Sequence, residues 1–371
     1  MMKVLVAGFC AGLLLAACSS SPQDQQSVPI TTSPASSTSL APEPPTTQAT
    51  TTTTEVVPTT MSPADSLSYE VVAQDDLSFL VEITDVSGRN DASQFYGGAP
   101  DTLQPRPIRL LIKRALNADG SVVADRPMPL VLSGDYVIGG RPSPCWTQPV
   151  NQVVACVGFP YMVKPAENPF LPVAPEFNRD IPNHAIDVSR ALDIILTSPE
   201  FSSLVDEEKV YYYGLSMGGL TGMMFRLPYF SEPRLKAIVS NLGTLPAWVD
   251  GFEDPKVWSE GPPMLMINRL QDNAVRYSGA KETFSLAQGS SNIEMVTLLQ
   301  GDHLDVIPCP AQAEYLFAWI DHHVNGGPEP DRSVFEGSEC AAYGPQEGGT
   351  SGCSAGGEIL LPPEVKAKFC K

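Results

Sequence analysis

The chain has 371 residues and a formal net charge of −19 at pH 7, from 42 acidic residues against 23 lysines and arginines. This acidic excess, with no basic stripe, argues against nucleic acid or anionic lipid as a partner and favours solubility outside the cell. The length allows one large α/β domain or two small ones once the N-terminal segments are set aside.

The N-terminus has the pattern of a processing signal. Lys3 supplies a minimal positive charge, and the apolar run over residues 4–15 is too short to span a membrane. The run ends in Leu-Ala-Ala-Cys at residues 15–18, which resembles the bacterial lipobox. This resemblance implies that Cys18 becomes the lipidated N-terminus; an ordinary secretory signal cleaved near Ala17 is the alternative. In both cases we expect export, and with a lipid anchor a location at the outer face of the cell membrane.

Three further regions follow the predicted signal peptide of residues 1–17. Residues 18–66 are rich in Thr, Ser and Pro and hold almost no large apolar side chains. Such a composition cannot offset the entropy of ordering the chain, so we expect a disordered tether. An α/β domain is then predicted over residues 67–330, and a cysteine-containing tail over residues 331–371.

Strand and helix patterns alternate through the predicted domain. Strands are predicted over residues 78–84, 108–113, 129–133, 153–157, 210–213, 235–239, 264–267 and 293–299. Helices are predicted over residues 185–196, 220–226, 281–288 and 311–324. Since alternation of this kind builds βαβ units, we expect a mostly parallel central sheet flanked by helices on both faces.

A nucleophile motif stands between one predicted strand and the helix after it. Residues 214–218 read Gly-Leu-Ser-Met-Gly, the G-x-S-x-G pattern of a nucleophile elbow. Glycine at positions 214 and 218 removes Cβ atoms that would collide in so sharp a turn, and the following helix offers its N-terminal amides to a developing oxyanion. The motif predicts Ser216 as a nucleophile.

A serine nucleophile needs a base, and the chain has four histidines. His303 follows the last predicted strand, where its loop would hang over the strand ends, and we predict it as the base. His184 is expected in a surface loop, while His322 and His323 fall in the closing helix, where packing or solvation is the usual role.

The third member of a triad is an acid that orients the histidine. Asp272 lies in the turn after the predicted strand 264–267, which gives the chain order serine, acid, histidine expected of an α/β-hydrolase. Asp250, Asp254 and Asp302 are the alternatives, and simple turn formation is another explanation for Asp272.

The oxyanion hole is predicted from two backbone amides. One belongs to Met217, and the other to the loop after Ser133, at Asp135 or Tyr136. This loop reads Ser-Gly-Asp where a His-Gly pair is usual. A backbone donor does not require the histidine, but an acidic side chain beside a developing negative charge is unfavourable unless it points away.

Several segments besides the elbow carry a resemblance to the α/β-hydrolase superfamily. They are residues 85–89, 129–134, 159–160 and 187–193. The chain is most similar to the exported group related to dienelactone hydrolases, chlorophyllases and platelet-activating-factor acetylhydrolases, over about residues 70–328. The resemblance implies hydrolysis of a carboxylic ester by the predicted triad, without metal or cofactor, on a small-molecule, lipid or polyester substrate.

The substrate pocket is poorly encoded. Residues 246–262 carry Trp248, Phe252 and Trp258, which suit a short cap over an apolar pocket and suit a protein core equally well. Two other functions fit the same residues: an acyltransferase that uses the same triad with an alcohol as acceptor, and a catalytically silent surface binding protein. We expect a monomer.

Six cysteines remain once the signal-peptide Cys10 and the lipobox cysteine are set aside. They are Cys145, Cys156, Cys309, Cys340, Cys353 and Cys370. An even number in an exported protein favours disulfides, and the absence of any C-x-x-C pair disfavours zinc. Local loop closure favours the pairs Cys145–Cys156 and Cys353–Cys370, and no metal site is predicted.

Overall fold

The computed structural model describes residues 67–85, 108–135, 145, 149–158, 177–245, 251–287, 290, 292–303, 305 and 307–349. The predicted signal peptide and tether lie outside these residues. So do other positions that the sequence singles out, namely Cys18, Tyr136, Phe159, Pro160, Trp248, Asp250, Cys353 and Cys370.

The described residues form ten strands and six α-helices. The strands are β1 (Leu67–Gln74), β2 (Ser78–Asp85), β3 (Ile108–Lys113), β4 (Met128–Asp135), β5 (Val153–Val157), β6 (Val205–Leu215), β7 (Ala237–Asn241), β8 (Met264–Arg269), β9 (Ile293–Leu298) and β10 (Ala341–Tyr343). The helices are α1 (Phe177–Thr197), α2 (Pro199–Ser202), α3 (Met217–Met224), α4 (Pro255–Ser259), α5 (Tyr277–Leu286) and α6 (Pro310–Ile320). A π-helical turn, Asp321–Asn325, continues α6, and a 3₁₀ turn covers Arg332–Phe335.

All ten strands belong to one mixed sheet with the order β1-β2-β3-β5-β4-β6-β7-β8-β9-β10. The six strands from β5 to β9 in that order pair in parallel, and the outer strands add antiparallel pairs at both ends. The predicted α/β fold with a mostly parallel sheet is therefore confirmed. The strand order reverses at β4, since β5 lies on one side of it and β6 on the other. In open α/β sheets such a reversal leaves a crevice outside the carboxyl ends of the strands.

Both faces of the parallel strands are buried. Along β6, Tyr212 packs with α1 and α3 on one face, while Tyr211 and Tyr213 join the opposite cluster with Trp319 of α6. A strand covered on both faces has no need of alternating polar residues, which explains the unbroken Val-Tyr-Tyr-Tyr run. The expected helices on both faces are present.

The first part of the predicted tail is joined to the sheet. β10 pairs antiparallel with β9, and Glu294 of β9 is a buried acceptor for donors from both α6 and β10. Its carboxylate accepts hydrogen bonds from Tyr315, from Trp319 Nε1 at 3.0 Å and from the Tyr343 hydroxyl at 2.9 Å. Burial raises the pKa of Tyr343, which therefore stays a donor.

Two disulfides link described cysteines. The predicted Cys145–Cys156 bond forms, with Cα atoms 5.8 Å apart. Cys309 bonds Cys340, with Cα atoms 5.6 Å apart, and ties the start of α6 to the residue before β10. Among the described residues, none of the helices is both long enough and apolar enough to cross a membrane.

Candidate active site

The motif serine occupies a strained turn between β6 and α3. Ser216 has φ 56° and ψ −115°, a positive φ that a residue with a Cβ rarely adopts. A Cβ placed on Gly214 would lie 2.1 Å from the carbonyl oxygen of Gly218, so this glycine is required by direct backbone contact. The turn is held further by the Ser216 amide, which donates to the Asn241 carbonyl of β7 at 2.8 Å.

A second glycine contact lets α3 pack directly on backbone. A Cβ on Gly243, in the loop after β7, would lie 2.4 Å from the carbonyl carbon of Gly219. Ser240 supports the same contact, since its hydroxyl donates to the Gly219 carbonyl at 2.9 Å. Gly243 is not predicted from the sequence, where its only signal is a glycine shortly after a buried strand.

The three residues predicted as a triad lie together at the carboxyl ends of the strands. Ser216 Oγ lies 2.8 Å from Nε2 of His303, and Nδ1 of the same ring lies 2.7 Å from Asp272 Oδ2. A carboxylate only accepts, so the ring donates from Nδ1, and its unprotonated Nε2 accepts from the serine hydroxyl. All three side chains are buried, the serine being the most exposed at 9%.

Asp272 is fixed by its own turn. Its Oδ1 accepts from the amides of Ala274 at 2.8 Å and Val275 at 2.7 Å, while Oδ2 faces the histidine. Turn formation and contact with the histidine thus use different oxygens of one carboxylate. Of the alternatives, Asp254 caps α4 by accepting from the Lys256 amide.

Asp302, the other described alternative, helps to hold the loop that carries the histidine. Its carboxylate accepts from Asn273 Nδ2 at 3.0 Å, and its carbonyl accepts from Arg269 Nη1 at 2.8 Å. Burial lowers the pKa of Arg269, against the opposing effect of the nearby carboxylates of Asp305, Asp272 and Asp302. This arginine is not predicted from the sequence; an arginine at the end of a buried strand, three residues before the acid, is the available signal.

Two of the predicted oxyanion donors lie at the carboxyl ends of the neighbouring strands β4 and β6. Met217 is the first residue of α3, and Asp135 ends β4, where it is paired with Leu215. Its backbone therefore lies beside the residue that precedes Ser216. Tyr136, the alternative donor, is outside the described residues.

The predicted surface location of His184 is wrong. Helix α1 begins at Phe177, earlier than the expected residue 185, and includes this histidine as a fully buried side chain. Its ring contacts β5 and α3, which a helical pattern starting at residue 185 could not reveal. His322 and His323 fall in the π-helical turn that follows α6.

Two aromatic residues of the predicted cap, Phe252 and Trp258, belong to the core. Phe252 and Trp258 are 1% and 0% exposed, and the indole donates to the Phe252 carbonyl at 2.7 Å. The buried Arg226 donates to the carbonyls of Val257, Trp258 and Pro262, which fixes the segment from beneath. Phe252 and Trp258 are therefore core residues and do not line an open pocket as cap residues would.

No protein-family model and no curated protein matches the chain. Among solved structures, a candidate dienelactone hydrolase from Klebsiella pneumoniae is similar, at 16% identity over 54% of this chain and 83% of that protein, with a TM-score of 0.40. Similarity at this level says nothing about activity. Within the described residues, no group of three or more His, Cys, Asp or Glu side chains is arranged to hold a metal ion.

Proposed function

We propose that the chain is a serine hydrolase that cleaves carboxylic esters through an acyl-enzyme intermediate. One observation carries the proposal: a continuous line of hydrogen bonds runs from Ser216 through His303 to Asp272, with distances of 2.8 Å and 2.7 Å. These distances lie within the range required for a nucleophile, its base and the group that orients the base.

The chemistry follows from the donors and acceptors. His303 Nε2 takes the proton as Ser216 Oγ attacks the ester carbonyl carbon, and Asp272 supports the imidazolium through Nδ1–H. The negative oxygen would bind the amide of Met217 and a second amide from the loop after Ser133, at Asp135 or Tyr136. His303 then protonates the leaving alkoxide, and a water molecule, activated by the same ring, releases the acid.

The strained elbow supports the nucleophile role. A positive φ at a serine costs about 1–3 kcal/mol and persists only where the surroundings impose it. Here the glycine contacts at positions 214 and 219 impose it. Such strain clusters at functional sites because it exposes a reacting group that an unstrained turn would bury.

Export with a lipid anchor on Cys18 is part of the proposal, as are the tether over residues 18–66 and a monomeric state. Two disulfides, Cys145–Cys156 and Cys309–Cys340, are compatible with an oxidising compartment. We propose small-molecule, lipid or polyester esters as the substrate class, which the sequence resemblance implies.

A fluorophosphonate probe tests the proposal. Wild-type protein is expected to label, and Ser216→Ala to lose all labelling, because the probe bonds only to an activated serine. Ser259→Ala, a serine exposed at the end of α4, is the matched control and should label like wild type.

The base is tested in the same assay. His303→Ala should lower the labelling rate by about 10⁴-fold or more, the usual cost of losing a triad member. His322→Ala should leave the rate unchanged. Folded wild-type protein that does not label would contradict the proposal and favour a silent binding protein.

A further inference from the structure

The buried histidine of α1 lies directly behind the elbow. His184 Nε2 is 3.1 Å from the carbonyl oxygen of Val157, at the end of β5, and Nδ1 is 3.0 Å from the Thr221 hydroxyl of α3. Since a carbonyl only accepts, Nε2 carries the proton. In the neutral ring Nδ1 is an acceptor, so it shares the single proton of the Thr221 hydroxyl with the Met217 carbonyl. The ring therefore joins β5 to α3.

The imidazole of His184 also packs against the backbone of β4. A Cβ on Gly134 would lie 2.2 Å from His184 Cε1 and 2.5 Å from the Tyr212 hydroxyl oxygen, so only a glycine admits the imidazole here. Gly134 pairs with Gly214, and the next residue, Asp135, ends the strand. The imidazole of His184 thus limits how closely the end of β4, at Gly134 and Asp135, approaches α1.

Two further hydrogen bonds hold the start of helix α3. Thr221 Oγ1, the partner of the ring, lies 3.2 Å from the Met217 carbonyl oxygen, and the Tyr212 hydroxyl donates to the Gly218 carbonyl at 2.9 Å. Both contacts fix the first turn of α3, which begins with the Met217 amide. Tyr212 is shared, because its hydroxyl also adjoins Gly134.

We propose that His184 is a positioning residue for the oxyanion hole: by contacting the carboxyl ends of β5 and β4 and the first turn of α3, it sets the separation between the two amides that bind the oxyanion. The inference rests on the proposed function, since it concerns the same site. The ring hydrogen-bonds to Val157 and Thr221, which are not members of the triad. It acts through Gly134 on one donor and through Thr221 on the other.

The position of the ring predicts a specific kinetic signature. An oxyanion exists only in the transition state and the tetrahedral intermediate, so misplaced donors lower kcat and leave KM nearly unchanged. For His184→Leu we expect kcat per active site to fall about 10- to 100-fold, the cost of displacing donors by a fraction of an ångström to 1 Å.

Two conservative variants sharpen the test. His184→Gln keeps a donor for the Val157 carbonyl and an acceptor for the threonine, and should recover most of kcat. Thr221→Val keeps the shape of the side chain but removes the hydroxyl, and should lower kcat about 10-fold. Thr221→Val also tests the proposal if His184→Leu does not fold.

A matched control separates positioning from general damage to the core. Val188 lies one turn further along α1 and is fully buried in the core that also holds Tyr212. Val188→Ala should lower the melting temperature without changing kcat per active site. Active sites are counted by fluorophosphonate titration, kcat and KM are measured with p-nitrophenyl acetate, and affinity for a trifluoromethyl ketone reports on the oxyanion hole. The affinity is expected to fall in parallel with kcat in His184→Leu.

The outcomes distinguish the two proposals. Suppose that the wild-type protein reacts with the fluorophosphonate, and that His184→Leu and Thr221→Val keep the wild-type kcat and ketone affinity. This result would overturn the role of His184 and leave the proposed function standing. A loss of kcat in Val188→Ala as large as that in His184→Leu would also overturn this role. A folded wild-type protein that does not react with the fluorophosphonate would overturn the proposed function, and the positioning role with it.

Discussion

The nucleophile elbow and the histidine loop are held in place by different means. At the elbow, contacts between backbone atoms impose the geometry: Gly214 adjoins Gly218, Gly219 adjoins Gly243, and Ser216 takes a positive φ as a result. Residues 301–303, which form the histidine loop, are instead held by side chains from β8 and the turn after it.

This difference explains why a local sequence motif identifies Ser216 but not His303. A backbone constraint must be met by glycine at fixed spacing, so it leaves a local motif. A loop held by distant side chains leaves no motif, because Arg269 and Asn273 reach it only in the folded chain. The histidine is found through its position after the last predicted strand.

The largest effect is expected from breaking the elbow. Gly214→Ala places a Cβ 2.1 Å from a backbone oxygen that cannot move without shifting α3. We expect fluorophosphonate labelling to slow by about 100-fold or more, since a displacement near 1 Å costs that much. Stability should also fall, by about 1–3 kcal/mol, as for other overpacked sites. Labelling kinetics and urea denaturation measure the two effects.

Gly326→Ala is the control, because nothing lies within 4 Å of a Cβ at that position and its only strain is its positive φ of 72°, whereas the strain at Gly214 comes from direct contact. It should lose some stability and keep its labelling rate. Equal labelling by Gly214→Ala and wild type would contradict the backbone account of the elbow.

A smaller effect is expected from loosening the histidine loop. Arg269→Gln removes the hydrogen bond to the Asp302 carbonyl and a buried positive charge beside several carboxylates. We expect kcat/KM for p-nitrophenyl acetate to fall about 10-fold, because the base becomes less well placed but is still present. Arg126→Gln, at an exposed position, is the control and should behave as wild type.

Arg269→Gln can also be compared with Gly214→Ala in the same assay. If both lose activity equally, the elbow and the histidine loop are constrained to the same degree, which contradicts the difference drawn between them. Unchanged kcat/KM would show that the loop holds its position without the arginine.

The smallest effect on activity is expected from the disulfide that closes the histidine loop region. Cys340→Ser removes the bond to Cys309, six residues after the base. Stability should fall by about 2–4 kcal/mol, mainly through the unfolded chain, while kcat/KM changes by less than about threefold. Thermal unfolding checks the first value and ester hydrolysis the second. Cys156→Ser, which removes the Cys145–Cys156 bond, is the matched comparison. A loss of activity confined to Cys340→Ser would show that the Cys309–Cys340 bond helps to hold His303 in place.

The sequence predicts the α/β class and the mostly parallel sheet because buried strands and amphipathic helices alternate in it. It does not single out β1 or β10. The side chains of β1 are mostly exposed, and β10, with three residues, is too short to give a pattern. The prediction for His184 is wrong because the Pro- and Asn-rich segment before residue 185 favours a loop, and tertiary contacts with β4, β5 and α3 override that preference.

In the candidate site, the serine, acid and base are predicted as a set, and the structure brings them together. The side chains that hold them are not predicted. Arg269, Gly243 and His184 act through contacts between elements that are far apart in the sequence, and their own neighbours in the chain give no sign of those contacts.

Mapping the site of a covalent adduct identifies the nucleophile itself. Purified wild-type protein is treated with a fluorophosphonate and digested, and the adduct is assigned to a single residue by mass spectrometry. We predict one adduct, on Ser216, which is absent from His303→Ala at the same exposure time. An adduct on another serine, or none on folded protein, would show that Ser216 is not an activated nucleophile.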